Sequence, residues 1–234
     1  MTTIPLALIG LGKMGRALEQ LAPDRGFAVV ARLSRGQPVT RESLNGAAVA
    51  IEFTEPSSAP SNVRACVAAG CPVVVGTTGW YGELATIERE VRASGGAMLA
   101  APNFSLGVAV FQQVVTEAAR RFAAVPGFDV HLLEIHHSAK KDAPSGTATS
   151  LADAVSRVRS GAVPITSVRT GSVPGTHELI FDAPFEQVRL IHEARDRRVF
   201  AEGALTAARW LMGKQGIFNM QDLINSSSPA SGKP

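Results

Sequence analysis

The chain has 234 residues, 45% apolar and 18% charged, a composition that places it among ordinary soluble globular proteins with core enough for one large domain or two small ones. A net charge of +3 with a pI near 9.2 suits anionic small molecules, yet no Lys/Arg run or aromatic–basic interleave points to nucleic acid. No apolar stretch reaches membrane-spanning length, and the two cysteines, Cys66 and Cys71, lack the spacing of a zinc or redox motif.

The apolar start "IPLALIGLG" lacks the basic region and cleavage pattern of a secretion signal and reads as a strand. Strands are predicted at Leu6–Ile9, Ala28–Leu33, Val49–Phe53, Pro72–Val75 and Ala97–Ala100, with helices around Lys13–Leu21, Ser58–Ala69 and Gly82–Ala93 between them. Near-continuous apolar strands alternating with helices imply a parallel sheet covered on both faces, which is a Rossmann-like doubly wound α/β domain. After Pro102 the rhythm changes. "SLGVAVFQQVVTEAARRF" reads as a long amphipathic helix, "FDVHLLEIHH" as a strand and "SGTATSLADAVSRV" as a helix. Strands at Ile165–Arg169, His177–Phe181 and Gln187–His192 follow without crossover helices, so the second domain is expected to be α+β with a mixed open sheet. A helix at Val199–Met212 and a frayed tail "SSSPASGKP" close the chain. The cysteines are expected to be buried thiols in a reducing cytoplasm.

"GLGKMG" sets Gly10, Gly12 and Gly15 in the G-x-G-x-x-G spacing, after a strand and opening a helix. Glycines there permit a tight turn and close backbone approach, while the helix N-terminus attracts a pyrophosphate. An NAD site usually carries an acid about 20 residues on. Here "ARLSRG" offers Ser34 and Arg35 instead, and Lys13 adds a cation inside the loop, a set that suits a 2′-phosphate. NADP is therefore favoured over NAD.

"EIHHSAKKDAPSGTA", Glu134 to Ala148, crowds histidines and lysines against a helix entrance. On a strand Glu134 and His136 share one face and His137 the other, and the breakers that follow end the strand. Pro144-Ser145-Gly146-Thr147 looks like a helix start whose amides attract an anion, close to Lys140 and a histidine. This constellation suits a multiply carboxylated small molecule with a proton donor at hand. A metal set of Glu134, His136 and His137 is not expected, because the adjacent lysines oppose it.

That segment resembles the signature of the dihydrodipicolinate (4-hydroxy-tetrahydrodipicolinate) reductases, NAD(P)H enzymes of lysine and diaminopimelate synthesis. The resemblance spans nearly the whole chain: "EFTEP" at 52–56, "GTTG" at 76–79, "APNFSLGV" at 101–108, "VRTGSVPGTHELIF" at 168–181 and "RRVFAEGALTAARWL" at 197–211 fall in the family's order. It implies that His136 is the general acid and that Lys140 lies near the substrate and the developing negative charge. It also implies that His137, Ser145, Gly146 and Thr147 bind substrate carboxylates. On the cofactor side it points to Gly10 and Gly15; Gly12, Lys13 and Met14 of the same loop, the pair Ser34 and Arg35 read above, and Phe53 and Thr54 are expected beside them. Gly76, Thr77 and Thr78 follow, then Ala101, Pro102, Asn103 and Phe104, with Arg197 near the active site. Four positions depart from the family pattern: a glycine loop one residue short with Lys13 for its arginine, Ser34 for the acid, Glu52 for an aspartate, and Ala109 where asparagine is frequent.

The implied reaction is hydride addition to C4 of an unsaturated ring dicarboxylate with protonation. The implied setting is a cytoplasmic homotetramer with a cleft between domains, hinged at "APNFSLGV" and near Gly213, in which 1–102 plus 213–234 bind the dinucleotide and 103–212 bind substrate and build the oligomer. Three rivals remain: a dehydrogenase of similar fold on another anion such as aspartate, a dinucleotide sensor without turnover, and, least favoured by the residues, a nucleic-acid-binding domain, which a salt-dependent binding assay tests.

Overall fold

A computed structural model describes residues 3–227. Its elements run, in chain order, β1 (Ile4–Ile9), α1 (Lys13–Leu21), β2 (Phe27–Leu33), β3 (Val49–Glu52), α2 (Ala59–Ala68), β4 (Val73–Val75), α3 (Leu84–Ala93) and β5 (Ala97–Ala100). Then come α4 (Leu106–Phe122), β6 (Asp129–His136), α5 (Gly146–Ser156), β7 (Ile165–Arg169), β8 (Thr176–Ala183) and β9 (Glu186–Glu193). The described residues close with α6 (Arg198–Leu211), β10 (Gly216–Phe218) and α7 (Met220–Ser227). Of the expected tail, 226–227 finish α7, and 228–234 lie outside the described residues. No helix among the described residues is long and apolar enough to cross a membrane.

Two compact units result: Met1–Leu106 with Arg198–Pro234, and Gly107–Arg197. The first is built on a six-stranded parallel sheet in the order β10-β5-β4-β3-β1-β2. Every residue of β3 and β4 is buried, as strands covered on both faces require. On one side Ala7, Ile9, Ala50, Val73 and Val75 pack with Val63 and Cys66 of α2 and Ile87 and Val91 of α3. Both cysteines are buried, and burial pushes their thiols up, Cys71 to about 11.

The chain crosses back at Arg197–Arg198, earlier than the expected boundary at 212–213, because α6 belongs to the first unit. Its buried face is mostly small: Ala201, Gly203, Ala204, Ala207 and Ala208, with Leu205 and Leu211. Side chains of that size let the helix axis approach α1 and strands β3, β4 and β5 closely. Periodicity identifies such a helix but not the sheet it covers.

The second unit carries a four-stranded mixed sheet, β7-β6-β8-β9, in which β6 runs parallel to β7 and the other pairs are antiparallel. Residues 130, 132, 134 and 136 of β6 are buried in strict alternation. Val130 and Leu132 join Leu179 and Phe181 under Val115 and Ala119 of α4 and Leu151 and Val155 of α5. Phe122 stacks on Phe181 with ring centroids 4.3 Å apart. Farther along the same face the apolar pair gives way to Glu134 and His136. Strand pairing sets their neighbours: Glu134 lies opposite His177 and Ser167, and His136 opposite Arg169.

Candidate active site

The first unit concentrates its polar loops at the carboxyl edge of its sheet. Gly10 follows β1, Ser34 follows β2, Phe53 and Thr54 follow β3, Gly76 to Thr78 follow β4, and Ala101 to Phe104 follow β5. In an open parallel sheet this edge is where ligands bind, at the point where strand order reverses, here between β1 and β3. A cleft of about 770 Å³ opens there, lined by Gly10, Gly12, Ser34, Arg35, Phe53 and Thr54 among others. Gly10 adopts φ +96°, and a Cβ there would stand 2.0 Å from the Phe53 carbonyl, so only glycine brings β1 and β3 this close. A Cβ on Gly12 would meet nothing within 4 Å, which leaves open space before the first amides of α1. These features fit the phosphates of a dinucleotide.

The remaining residues expected on the cofactor side divide by environment. Lys13 and Thr78 are exposed, Met14 half-buried, and Gly15 is buried against the Gly10 carbonyl. Arg35 pairs with Glu55 at 2.6 Å across the cleft rim, while Ser34 donates from both its amide and its hydroxyl to Gln37 Oε1. Thr77 is buried and its hydroxyl accepts the Thr54 amide at 2.7 Å, so it braces the neighbouring loop. The Phe104 ring sits edge-on to Phe53 with centroids 5.8 Å apart, and Asn103 Oδ1 accepts the Ser105 amide. Beneath them Glu52 is fully buried. It accepts hydrogen bonds from Thr54 Oγ1 and Asn62, and burial raises its pKa.

In the second unit the polar end of β6 organises a buried cluster. Glu134, His136, Ser145 and His177 are all at least nine-tenths buried. Glu134 Oε1 accepts the Ser145 amide at 3.0 Å and Arg169 Nη2 at 2.7 Å. Its Oε2 lies 2.8 Å from His136 Nδ1, within ion-pair range but off the line of an aligned N–H hydrogen bond. Ser145 also caps α5, its hydroxyl accepting the Ala148 amide at 3.2 Å, and lies 3.3 Å from His177 Nε2. Gly146 and Thr147 then form the first turn of the helix.

Charge follows from this packing. Burial alone would raise the Glu134 pKa, but donors from Ser145, Ser167 and Arg169 overcome it and hold the carboxylate at about 2. His136 is depressed below its ordinary value, chiefly by burial, with Lys140 and Arg169 pushing the same way and Glu134 opposing. Burial, then His136, depress His177 to about 4. Lys140 Nζ bridges both carboxylate oxygens of Asp142 at 2.8 and 2.9 Å, and the Asp142 carbonyl accepts Arg169 at 2.5 Å.

His137 departs from its neighbours. It faces the other way, as alternation requires, with Nε2 2.6 Å from Arg197. Among the described residues, the donor atoms that converge within 4.8 Å belong to Glu134, His136 and His177, not to the trio with His137. One oxygen of that carboxylate is taken by Arg169 and Ser145, and Lys140 adds further positive charge at His136. This surrounding favours a proton over a divalent cation.

Residues 4–104 match the family model described as Dihydrodipicolinate reductase, N-terminus, and residues 107–224 match its C-terminus counterpart. The chain belongs to the dihydrodipicolinate reductase family. A relative named 4-hydroxy-tetrahydrodipicolinate reductase from Xanthomonas campestris pv. campestris is 39% identical over 246 residues, covering 96% of this chain and all of that protein. Another so named, from Christiangramia forsetii, is 34% identical over 94% of this chain and 97% of its own. The fold matches a dipicolinate-bound dihydrodipicolinate reductase from Paenisporosarcina sp. TG-14 at TM-score 0.79 and 23% identity, covering 93% of this chain and 98% of that one. An aspartate dehydrogenase from Thermotoga maritima shares the fold more loosely, at TM-score 0.51 and 12% identity.

As in the reductases named above, this member is an oxidoreductase, and the family implies a nicotinamide dinucleotide and a small-molecule substrate. Arg169 and His177 were not singled out from sequence as site residues. Their signal lay in the R-x-G-x-x-x-G-x-H spacing of 169–177, which carries no role until β6, β7 and β8 are paired.

Proposed function

We propose that this protein reduces dihydrodipicolinate, formed from 4-hydroxy-tetrahydrodipicolinate, to tetrahydrodipicolinate in lysine and diaminopimelate synthesis. The observation that carries the reading within the family is a buried histidine, His136, backed by a fixed carboxylate beside Lys140 and the start of α5. A bound nicotinamide dinucleotide supplies the hydride, and the cleft with Gly10, Gly12, Ser34, Arg35, Phe53 and Thr54 would hold it. Gly15, Lys13, Met14, Gly76 to Thr78 and Ala101 to Phe104 support the same ligand from neighbouring strand ends.

The substrate's carboxylates are assigned to Gly146 and Thr147 at the α5 N-terminus and to His137, with Ser145 shaping the turn. Arg197, 2.6 Å from His137, adds charge on that side. Hydride addition leaves negative charge on the conjugated ring, which Lys140 stabilises and which His136 quenches by delivering a proton, ending neutral. In the free protein His136 is depressed below its ordinary pKa, so two incoming carboxylates are what raise its proton affinity for the step.

NADPH is the favoured donor, since Ser34-Arg35 replaces the acid usual at the end of the second strand and Arg35, although paired with Glu55, brings a guanidinium to the cleft. A homotetramer fits the second sheet. Leu133, Ile135, Ile180 and Ile191 alternate with its core residues, and Ile191 is 55% exposed.

The decisive experiment is NADPH oxidation with freshly generated dihydrodipicolinate. Turnover that falls about two to four orders of magnitude in His136→Gln, in a folded protein, supports the assignment. Absence of turnover in the unmodified protein, or near-normal kcat in the variant, overturns it.

A further inference from the structure

Glu134 is a buried acid that takes no direct part in the hydride and proton transfers proposed above. It sits two residues before His136 on the same face of β6, with no exposed surface. One oxygen is fixed by the Ser145 amide and the Arg169 guanidinium, and the other lies 2.8 Å from the inner nitrogen of His136. The same Arg169 holds the carbonyl of Asp142, the residue that pairs with Lys140. A single carboxylate therefore touches the proton donor, the cap of the substrate helix and the arginine steadying the lysine loop.

We infer that Glu134 is a positioning residue: it turns His136 so that Nδ1 points inward and Nε2 outward, and its charge lets the ring carry a proton among cations. This rests on the reading of His136 as proton donor. Nε2 lies toward Gly175, where a Cβ would stand 3.0 Å from it, so the outer nitrogen has room only because that position lacks a side chain.

The charges around His136 come from every neighbouring element. Glu134 on its own strand and Asp142 in the following loop favour the imidazolium. Lys140 in that loop and Arg169 on β7 oppose it. His177 on β8 faces the ring with centroids 5.1 Å apart, and His192 on β9 lies opposite His177. Glu134 is the counter-charge in direct contact with the ring. Its removal leaves two cations and a buried ring, so the proton should leave at lower pH.

The test follows His136 by NMR in protein labelled at histidine, its resonance identified by loss in His136→Gln. In Glu134→Gln, which keeps size and one acceptor, the His136 titration should move down by about one to three pH units, the effect of an opposite charge at this range. The alkaline limb of kcat/KM should move with it, and Glu134→Asp should restore part of the shift. Arg169→Gln should move the titration the other way, and it carries the test if thermal unfolding shows that Glu134→Gln does not fold. An unmoved His136 titration in Glu134→Gln, or in Arg169→Gln where that variant carries the test, overturns the inference. So does activity lost by one factor at every pH. Failure of the reductase reading appears separately, as absent turnover with the NMR titration still measurable.

Discussion

Gly203 lies so close to Phe104 that a Cβ on it would stand 1.7 Å from the Phe104 carbonyl oxygen. The contact joins the middle of α6 to the loop after β5, whose phenylalanine meets Phe53 on the cleft. Gly203→Ala should therefore displace the loop rather than merely stiffen the helix. Overpacking of this kind costs about 1–3 kcal/mol. Thermal unfolding should show a lowered Tm, and dinucleotide titration a weakened Kd. A variant as stable as the parent, with unchanged Kd, would contradict this contact.

If NADPH is the donor, as proposed, the preference should turn on Arg35. Its pairing with Glu55 is exposed, so breaking it should cost little stability. Arg35→Ala should raise KM for NADPH about tenfold or more, as expected for a charge-assisted hydrogen bond worth about 1.5–3 kcal/mol, while NADH kinetics barely change. Glu55→Gln should free the guanidinium and widen the preference for NADPH. Steady-state kinetics with both donors decide it, and a parent enzyme that prefers NADH refutes the assignment.

Pyridine-2,6-dicarboxylate, planar and doubly charged, should compete with substrate. Thr147→Val removes a hydroxyl at nearly constant volume and should weaken inhibition by about 1–3 kcal/mol if the hydroxyl's partner is left unsatisfied. Inhibition undiminished when both Lys140 and Thr147 are changed would place the pocket elsewhere.

Acid stability should show the buried histidine. His177 titrates near 4 in the folded protein and near 6.5 when unfolded, so between these values the unfolded chain binds more protons. Stability is then fully present above about 6.5 and declines as pH falls toward 4, by about 3 kcal/mol across the window. Glu134, held near 2, continues the loss below about 4.5. Urea unfolding across this range should give a flatter profile for His177→Gln, and an equally steep one would exclude His177 as the cause.

The strands and helices of both units were legible because burial on two faces writes runs such as "VVV" in β4, and burial on one face writes the alternation of β6. His136, Lys140 and Ser145 were legible because they share one short segment. Arg169 and His177 were not assigned to the site, since strand register brings them to Glu134 across 35 and 43 residues. β10 escaped pattern reading for a different reason. Three residues are too few to show a period.

That short strand governs the order in which the molecule can be completed on the ribosome. β10 pairs with β5, and α6 covers β3, β4 and β5, yet both emerge only after the whole of Gly107–Arg197. At about 5–20 residues per second the nascent sheet waits roughly ten seconds with an unpaired edge. The second unit, contiguous in the chain, meets no such delay. The inserted unit can therefore reach its native state before the host that encloses it, and a chain cut at 106 would keep a permanent sticky edge at β5.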